Sequence, residues 1–135
     1  KSNFMSCFWD AILNKIRHED FKIILNLKEK PSPKDFAKIL QKKNIKTEGI
    51  MWNSQFLSQK QLDENYQHIH NYDISTINQG YDCSICDPFL LIICELFQIN
   101  IKHIYLDKTI DYTHKQNVFN NNYTISLQSN KNHMW

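Results

Sequence analysis

Two residues at opposite ends of the chain have side chains that can act together on a carbonyl group, Cys7 and His133. A cysteine that opens a helix sits beside about half a positive charge and a set of unpartnered first-turn amides. Both favour a thiolate, and the same amides can hold the oxyanion that forms when a carbonyl is attacked. The residues placed to shape such a hole are Phe4, Met5, Ser6 and Cys7 itself. His133 follows a polar turn and opens a short strand, from which an imidazole can be aimed at the helix start. It would take the thiol proton and later return it to a leaving amine. Neither residue is diagnostic alone: most lone cysteines are small buried hydrophobes, and most histidines in such a position are ordinary surface residues.

Other constellations carry weaker chemistry. Cys83-x-x-Cys86 with Cys94 and His103 has one zinc-like spacing, but Cys94 falls inside an apolar helix and no second close pair follows, so no metal is expected. Asp35, Asp82, Glu95 and Lys102 do not form the carboxylate and lysine pattern of a metal-dependent nuclease. His68 and His70 are two apart on an expected helix and point to different faces. No cofactor is implied. Trp52, close to Gly49, belongs either to the core or to a substrate channel.

The elements that must position these residues can be read from caps and periodicity. A first helix starts at Cys7 behind Ser6 as N-cap, with Phe8, Ala11, Ile12, Leu13 and Ile16 on its apolar face. Ser32-Pro33-Lys34-Asp35 is a helix start, followed by Phe36, Ile39 and Leu40. Phe21–Leu27, between these two, is ambiguous. Ser58 and Gln61 form a capping box ahead of Leu62, Tyr66 and Ile69. A short helical turn follows Asp73 and ends at Gly80. Asp87-Pro88 opens a helix that is apolar nearly all round through Phe97, as a helix buried on most sides must be. Ile101–Leu106 reads as a strand. Tyr123–Leu127 alternates as a half-buried strand does, with Gln128–Asn132 as a turn and His133–Trp135 as its antiparallel return. Helices first and strands last predict an α+β or layered α/β domain.

The bulk properties fit one domain over residues 1–135. Apolar residues make up 41% of the 135, enough for one core, and the net charge of +2 is too small for a general nucleic-acid binder. Residues 22–46 hold eight lysines against Glu29 and Asp35, a local +6, which reads as a solvated surface. No secretory signal and no apolar run long enough to span a bilayer is visible, so a monomeric, cytoplasmic protein without a membrane span is expected. The chain opens on Lys1 and stops within a strand, as a piece of a longer protein or polyprotein would. Abundant Lys and Asn with two glycines resemble the product of an AT-rich genome, such as that of a virus or intracellular pathogen.

Three segments together resemble the ovarian-tumour (OTU) family of cysteine proteases. Ser6-Cys7-Phe8-Trp9-Asp10-Ala11-Ile12 is similar to the family's nucleophile motif. Asp87–Tyr105 is similar to its second signature, an acidic residue before an apolar helix and a strand directly after. Tyr123–Trp135 resembles its third, an alternating strand, a polar turn, then His and an aromatic residue. The resemblance implies a papain-related fold with a small, mainly antiparallel central sheet flanked by helices. It implies Cys7 as nucleophile, His133 as base, and hydrolysis of the bond after the C-terminal Gly of ubiquitin or a ubiquitin-like modifier. The family places Asp-Gly-Asp or Asp-Gly-Asn before its Cys, where this chain has Phe4-Met5-Ser6, and often Asp or Asn two residues after its His, where this chain has Trp135. The third catalytic member is therefore open among Asn3, Asn132 and a residue outside this chain, with Asn3 taken as the candidate and a Cys–His dyad as the alternative, since the third group mainly orients the imidazole. Trp52, Glu48, Asp63 and Trp135 are candidate substrate contacts; Glu64 and Asp73 are further carboxylates for a basic modifier tail. The rival expectation is a non-catalytic ubiquitin-binding or adaptor module.

Overall fold

The computed structural model describes residues 7–115, 123–130 and 133–135. Its elements run α1 (Cys7–Lys15), α2 (His18–Leu25), α3 (Pro33–Lys42), β1 (Ile50–Trp52), β2 (Gln55–Phe56), α4 (Gln59–Asn71), a 3-10 helix (Ile74–Gln79), α5 (Pro88–Phe97), β3 (Asn100–Tyr105), β4 (Lys108–His114) and β5 (Thr124–Ser129). Helices and sheet are both present, and the class is α+β.

The helix starts follow from local chemistry. Ser32 Oγ accepts from Asp35 N at 3.2 Å, with Pro33 in the first turn of α3. Ser58 Oγ accepts from Gln61 N at 3.1 Å while the Gln61 side chain accepts from Ser58 N at 2.9 Å, closing the capping box of α4. Asp73 Oδ1 caps the 3-10 helix through Ser75 N at 3.0 Å, and Gly80 follows it at φ 93°. Of the ambiguous stretch Phe21–Leu27, the residues through Leu25 are helical as the end of α2, which stops where Asn26 turns left-handed at φ 58°. The cap expected at Ser6 lies outside the described residues.

The sheet has the order β2-β1-β4-β3-β5. Neighbours are antiparallel except β3 and β5, which run parallel with Ile101 opposite Ile125 and Tyr105 opposite Ser129. The sheet is thus mixed, and larger than the sequence predicts: β1, β2 and β4 were not expected. β1 and β2 are joined by Asn53 and Ser54, both at positive φ (48° and 64°), a two-residue turn whose twist suits a hairpin. Asn53 is also tied to β4, its N donating to Asp111 O and its Oδ1 accepting from Asp111 N, each at 2.8 Å.

The buried side chains of β3, β4 and β5, among them Ile101, His103, Ile110, Tyr112, Ile125 and Leu127, share one face with the helices. Lys102, Thr124, Ser126 and Gln128 on the opposite face are exposed. The helices therefore gather on one face of the sheet instead of flanking it on both, the arrangement of an α+β fold. α5 lies at the centre, with every residue from Pro88 to Cys94 buried. Its burial contributes roughly 2 kcal/mol per large aliphatic side chain before entropy is counted. Trp9 of α1 is enclosed by Phe8, Phe36 and Phe89, with ring centroids 5.0, 6.2 and 5.0 Å away. Among the described residues no helix is long and apolar enough to cross a membrane.

Candidate active site

β5 brings the two ends of the chain together. At its far end, the backbone amide of Asn130 donates to His133 O and the Asn130 side chain accepts from His133 N, both at 2.9 Å, closing a turn. The chain then returns antiparallel, with Ser129 bridged to Met134 and Gln128 exchanging two 2.8 Å backbone hydrogen bonds with Trp135. The return expected from the sequence is present as this short bridge.

α1 lies beside the same strand in the opposite direction. Near its C-terminal end, Lys15 Nζ donates to Ser126 O at 2.6 Å, Arg17 N donates to Tyr123 Oη at 3.1 Å, and the Arg17 guanidinium sits 3.9 Å from the Tyr123 ring centroid. Tyr123 in turn donates to Asp20. These ties at the start of β5 leave the N-terminus of α1 at the end of β5, where His133 emerges. Cys7 Sγ is 2.9 Å from His133 Nδ1, across 126 positions of sequence. Cys7 is half-buried and His133 exposed. The His133 ring stacks on the Trp135 indole, with centroids 5.4 Å apart and planes at 19°.

This pair stands at the edge of a cavity of about 600 Å³. One wall is the segment Gln79–Ile85; the other is formed by His103, Tyr105, Ile110 and Ser129 of the sheet. The first wall is held by Asp87. Its Oδ1 accepts from Tyr81 Oη at 2.7 Å, Ser84 N at 3.0 Å and Ser84 Oγ at 3.2 Å, while Oδ2 accepts from Phe89 N at 3.0 Å and Leu90 N at 3.4 Å. Asp87 thus caps α5 and shapes the loop at once. Burial pushes its carboxyl above the ordinary range, and the hydrogen bonds from Ser84, Tyr81, Leu90 and Phe89 pull it back. Tyr112 completes the bracket by accepting from Asp87 N at 3.0 Å and donating to Ile85 O at 2.9 Å. Tyr81 also packs on Phe8 of α1, centroid to centroid 4.4 Å.

In the sheet wall, His103 is 2% exposed, and its Nε2 lies 2.7 Å from Ser129 Oγ. Burial lowers the pKa of this imidazole, so it is a neutral residue near pH 7. Burial, then the nearby Asp87 charge, raises Cys86 to about 11 and Cys83 further still, and burial raises Cys94. They are thiols at neutral pH. No group of three or more His, Cys, Asp or Glu among the described residues is placed to hold a metal ion; Cys94 is enclosed in the core, away from the Cys83–Cys86 loop wall.

The structure brings together Cys7, His133 and Trp135. Asn3, Phe4, Met5, Ser6 and Asn132 lie outside the described residues, so the expected oxyanion loop and third catalytic member do too. Trp52, Glu48 and Asp63 do not line the cavity. Trp52 stands behind the loop wall, donating from Nε1 to Ile85 O at 3.0 Å. Asp63 is an exposed helix residue paired with Lys46 at 2.7 Å, and Glu48 is an exposed residue two positions before β1. They fall away from the Cys7–His133 pair: β1, which carries Trp52 and follows Glu48, is separated from β5 by two strands, and Asp63 is on α4. Asp82, by contrast, which the sequence offers only in the rejected nuclease pattern, is an exposed carboxylate on the cavity wall. Ser129 and Asn130 were unmarked, and His103 was weighed only as a zinc ligand with the cysteines; the alternation that buries Ile101 and Leu127 carries His103 and Ser129 onto the same face. No protein-family model, curated protein or solved structure matches this chain.

Proposed function

We propose that this chain is a cysteine isopeptidase that hydrolyses the bond after the C-terminal Gly of ubiquitin or a ubiquitin-like modifier, on an OTU-like fold. The observation that carries the reading is the 2.9 Å approach of Cys7 Sγ to His133 Nδ1 at the mouth of a cavity. Support for the modifier comes from the three segments that resemble the family, which correspond to α1, to α5 with β3, and to β5 with its return. Processing of a polyprotein would use the same chemistry, and a cytoplasmic setting with a modifier as partner follows from the same reading.

In the proposed reaction His133 Nδ1 takes the Cys7 proton and the sulfur attacks the Gly carbonyl carbon. The oxygen becomes an oxyanion, which first-turn amides of α1, Cys7 N among them, are suited to receive. The C–N bond breaks as His133 gives its proton to the leaving lysine amine. A water, deprotonated by His133, then attacks the thioester, and the carboxylate and the Cys7 thiol are released. The tail lies along the cavity, with Asp82 as a carboxylate for a basic residue upstream of the glycines.

The test is a ubiquitin, and a panel of ubiquitin-like modifiers, bearing a C-terminal propargyl amide. An adduct of one modifier plus one chain, mapped to Cys7 and absent from Cys7→Ala and His133→Ala, is expected. Binding without an adduct for every modifier would make the chain a non-catalytic recognition module.

A further inference from the structure

We propose that Trp135 is the positioning residue for His133, holding the base toward Cys7 by stacking against its ring. The inference rests on the Cys7–His133 pair proposed above and not on the modifier it acts upon. The two rings stand two positions apart on one short strand, so they project from the same face. That strand is clamped at both residues: Asn130 holds His133 through two 2.9 Å hydrogen bonds, and Gln128 holds Trp135 through two at 2.8 Å. With both backbones fixed, the near-parallel contact at 5.4 Å and 19° restricts the imidazole to the plane in which Nδ1 faces the sulfur at 2.9 Å. His133 is exposed, and an exposed ring without such a neighbour would sample several rotamers.

The contact also answers to the charge state. When the Cys7 proton moves to Nδ1, sulfur becomes an anion and the ring a cation lying against the indole face. A cation is attracted to the negative face of an indole. Stacking therefore favours the thiolate–imidazolium form over the neutral pair, which a purely steric support would not do. Trp135 is 46% exposed, and its side chain is not among those lining the cavity. Its place suits contact with His133 better than contact with the substrate tail.

The experiment uses the intact chain and iodoacetamide, which requires no modifier: the Cys7 sulfur displaces iodide, and the site is read by peptide mass against Cys83, Cys86 and Cys94. At pH 7, Trp135→Leu is expected to slow Cys7 alkylation about fivefold, while Trp135→Phe, which keeps a π face, stays within about twofold of wild type. Circular dichroism and a melting curve confirm that both variants are folded. On a substrate cleaved by the wild type, Trp135→Leu lowers kcat with KM nearly unchanged. Alkylation of Trp135→Leu at the wild-type rate overturns the proposal. Equal loss in the Leu and Phe variants does so as well, as does a rise in KM at constant kcat, which would make Trp135 a substrate contact. An unchanged rate in His133→Ala would overturn the Cys7–His133 pair itself, and this inference with it. Absence of any modifier adduct beside the expected alkylation pattern would overturn only the choice of substrate.

Discussion

The Tyr81 hydroxyl donates to Asp87 Oδ1 at 2.7 Å, and through this bond a helix cap becomes the support of a cavity wall. Replacing Asp87 by Ala strands the donors of Tyr81, Ser84, Phe89 and Leu90 together. The expected loss is on the order of 3 kcal/mol, against about 1 kcal/mol for Tyr81→Phe, which removes this bond and the 3.3 Å contact of the hydroxyl with His68 Nε2 and leaves the cap. Urea denaturation measures both. Because the loop carries Asp82 to Ile85, Asp87→Ala is also expected to lower activity at temperatures where it remains folded.

His103 makes stability depend on pH. Burial lowers its folded pKa from the ordinary 6.5. Between the lowered value and 6.5 the unfolded chain binds a proton that the folded chain refuses, so the free energy of unfolding rises with pH through that window. Its contribution is complete above 6.5 and is lost as the pH falls toward the folded value, with a slope of at most about 1.4 kcal/mol per unit. Denaturation midpoints of wild type and His103→Phe, measured from pH 5 to 8, test this. The difference between the two curves should change with pH below about 6.5 and be flat above it; a constant difference throughout would remove His103 as the titrating group.

The proposed roles of Cys7 and His133 predict unequal losses. Cys7→Ala removes the nucleophile and all acyl-enzyme formation. His133→Ala leaves the thiol and is expected to lower kcat by about 10² to 10⁴. Single-turnover kinetics distinguish them, and a His133→Ala variant as fast as wild type would remove the base from the mechanism.

Asp82 tests the cavity as the path of the tail. Asp82→Lys places a positive charge where a basic modifier residue would lie, and KM should rise about five- to tenfold with kcat little altered. The same reversal at Asp63, an exposed residue paired with Lys46 outside the cavity, should leave KM unchanged. Steady-state kinetics on both variants decide between the two carboxylates.

Gly49 offers a change remote from the pair. A Cβ there would come within 2.9 Å of both carboxylate oxygens of Glu95, whose Oε1 accepts from Gly49 N at 2.9 Å. Gly49→Ala must push that carboxylate aside and lose the bond, at an expected cost of about 1 to 2 kcal/mol. Cys7 alkylation should not change, which would confirm that stability and site reactivity separate across the sheet.

The parts of this molecule legible in sequence are those set by neighbours along the chain. Ser32 before Pro33, Ser58 with Gln61, and Asp87 before Pro88 announce helices because a cap needs only an oxygen within the first turn. α5 announces its burial because apolar residues continue round its circumference. β1, β2 and β4 were less visible. β1 and β2 are short, their turn uses Asn53-Ser54 without a glycine, and β4 intersperses Ile110 and Tyr112 with Thr, Asp and His. Cys7 and His133 could be nominated by residue type and by the elements they open, since a helix start and a strand start are local properties. The places of Asp82, His103, Ser129 and Asn130 in this site could not be read, because each joins it only through strand register or loop closure.

Sequence alone therefore determined which residues can supply a thiol and an imidazole, that the segments behind Ser32, Ser58 and Asp87 are helical, and that one apolar helix is buried on most sides. Tertiary structure decided that the thiol and imidazole meet, since a contact across 126 positions depends on α1 lying alongside β5. It also decided that, of the candidates Trp135, Glu48, Asp63 and Trp52, Trp135 stands beside that pair. The physical reason is range: caps and periodicity act over a few residues, whereas strand order and side-chain approach are set by packing of the whole core.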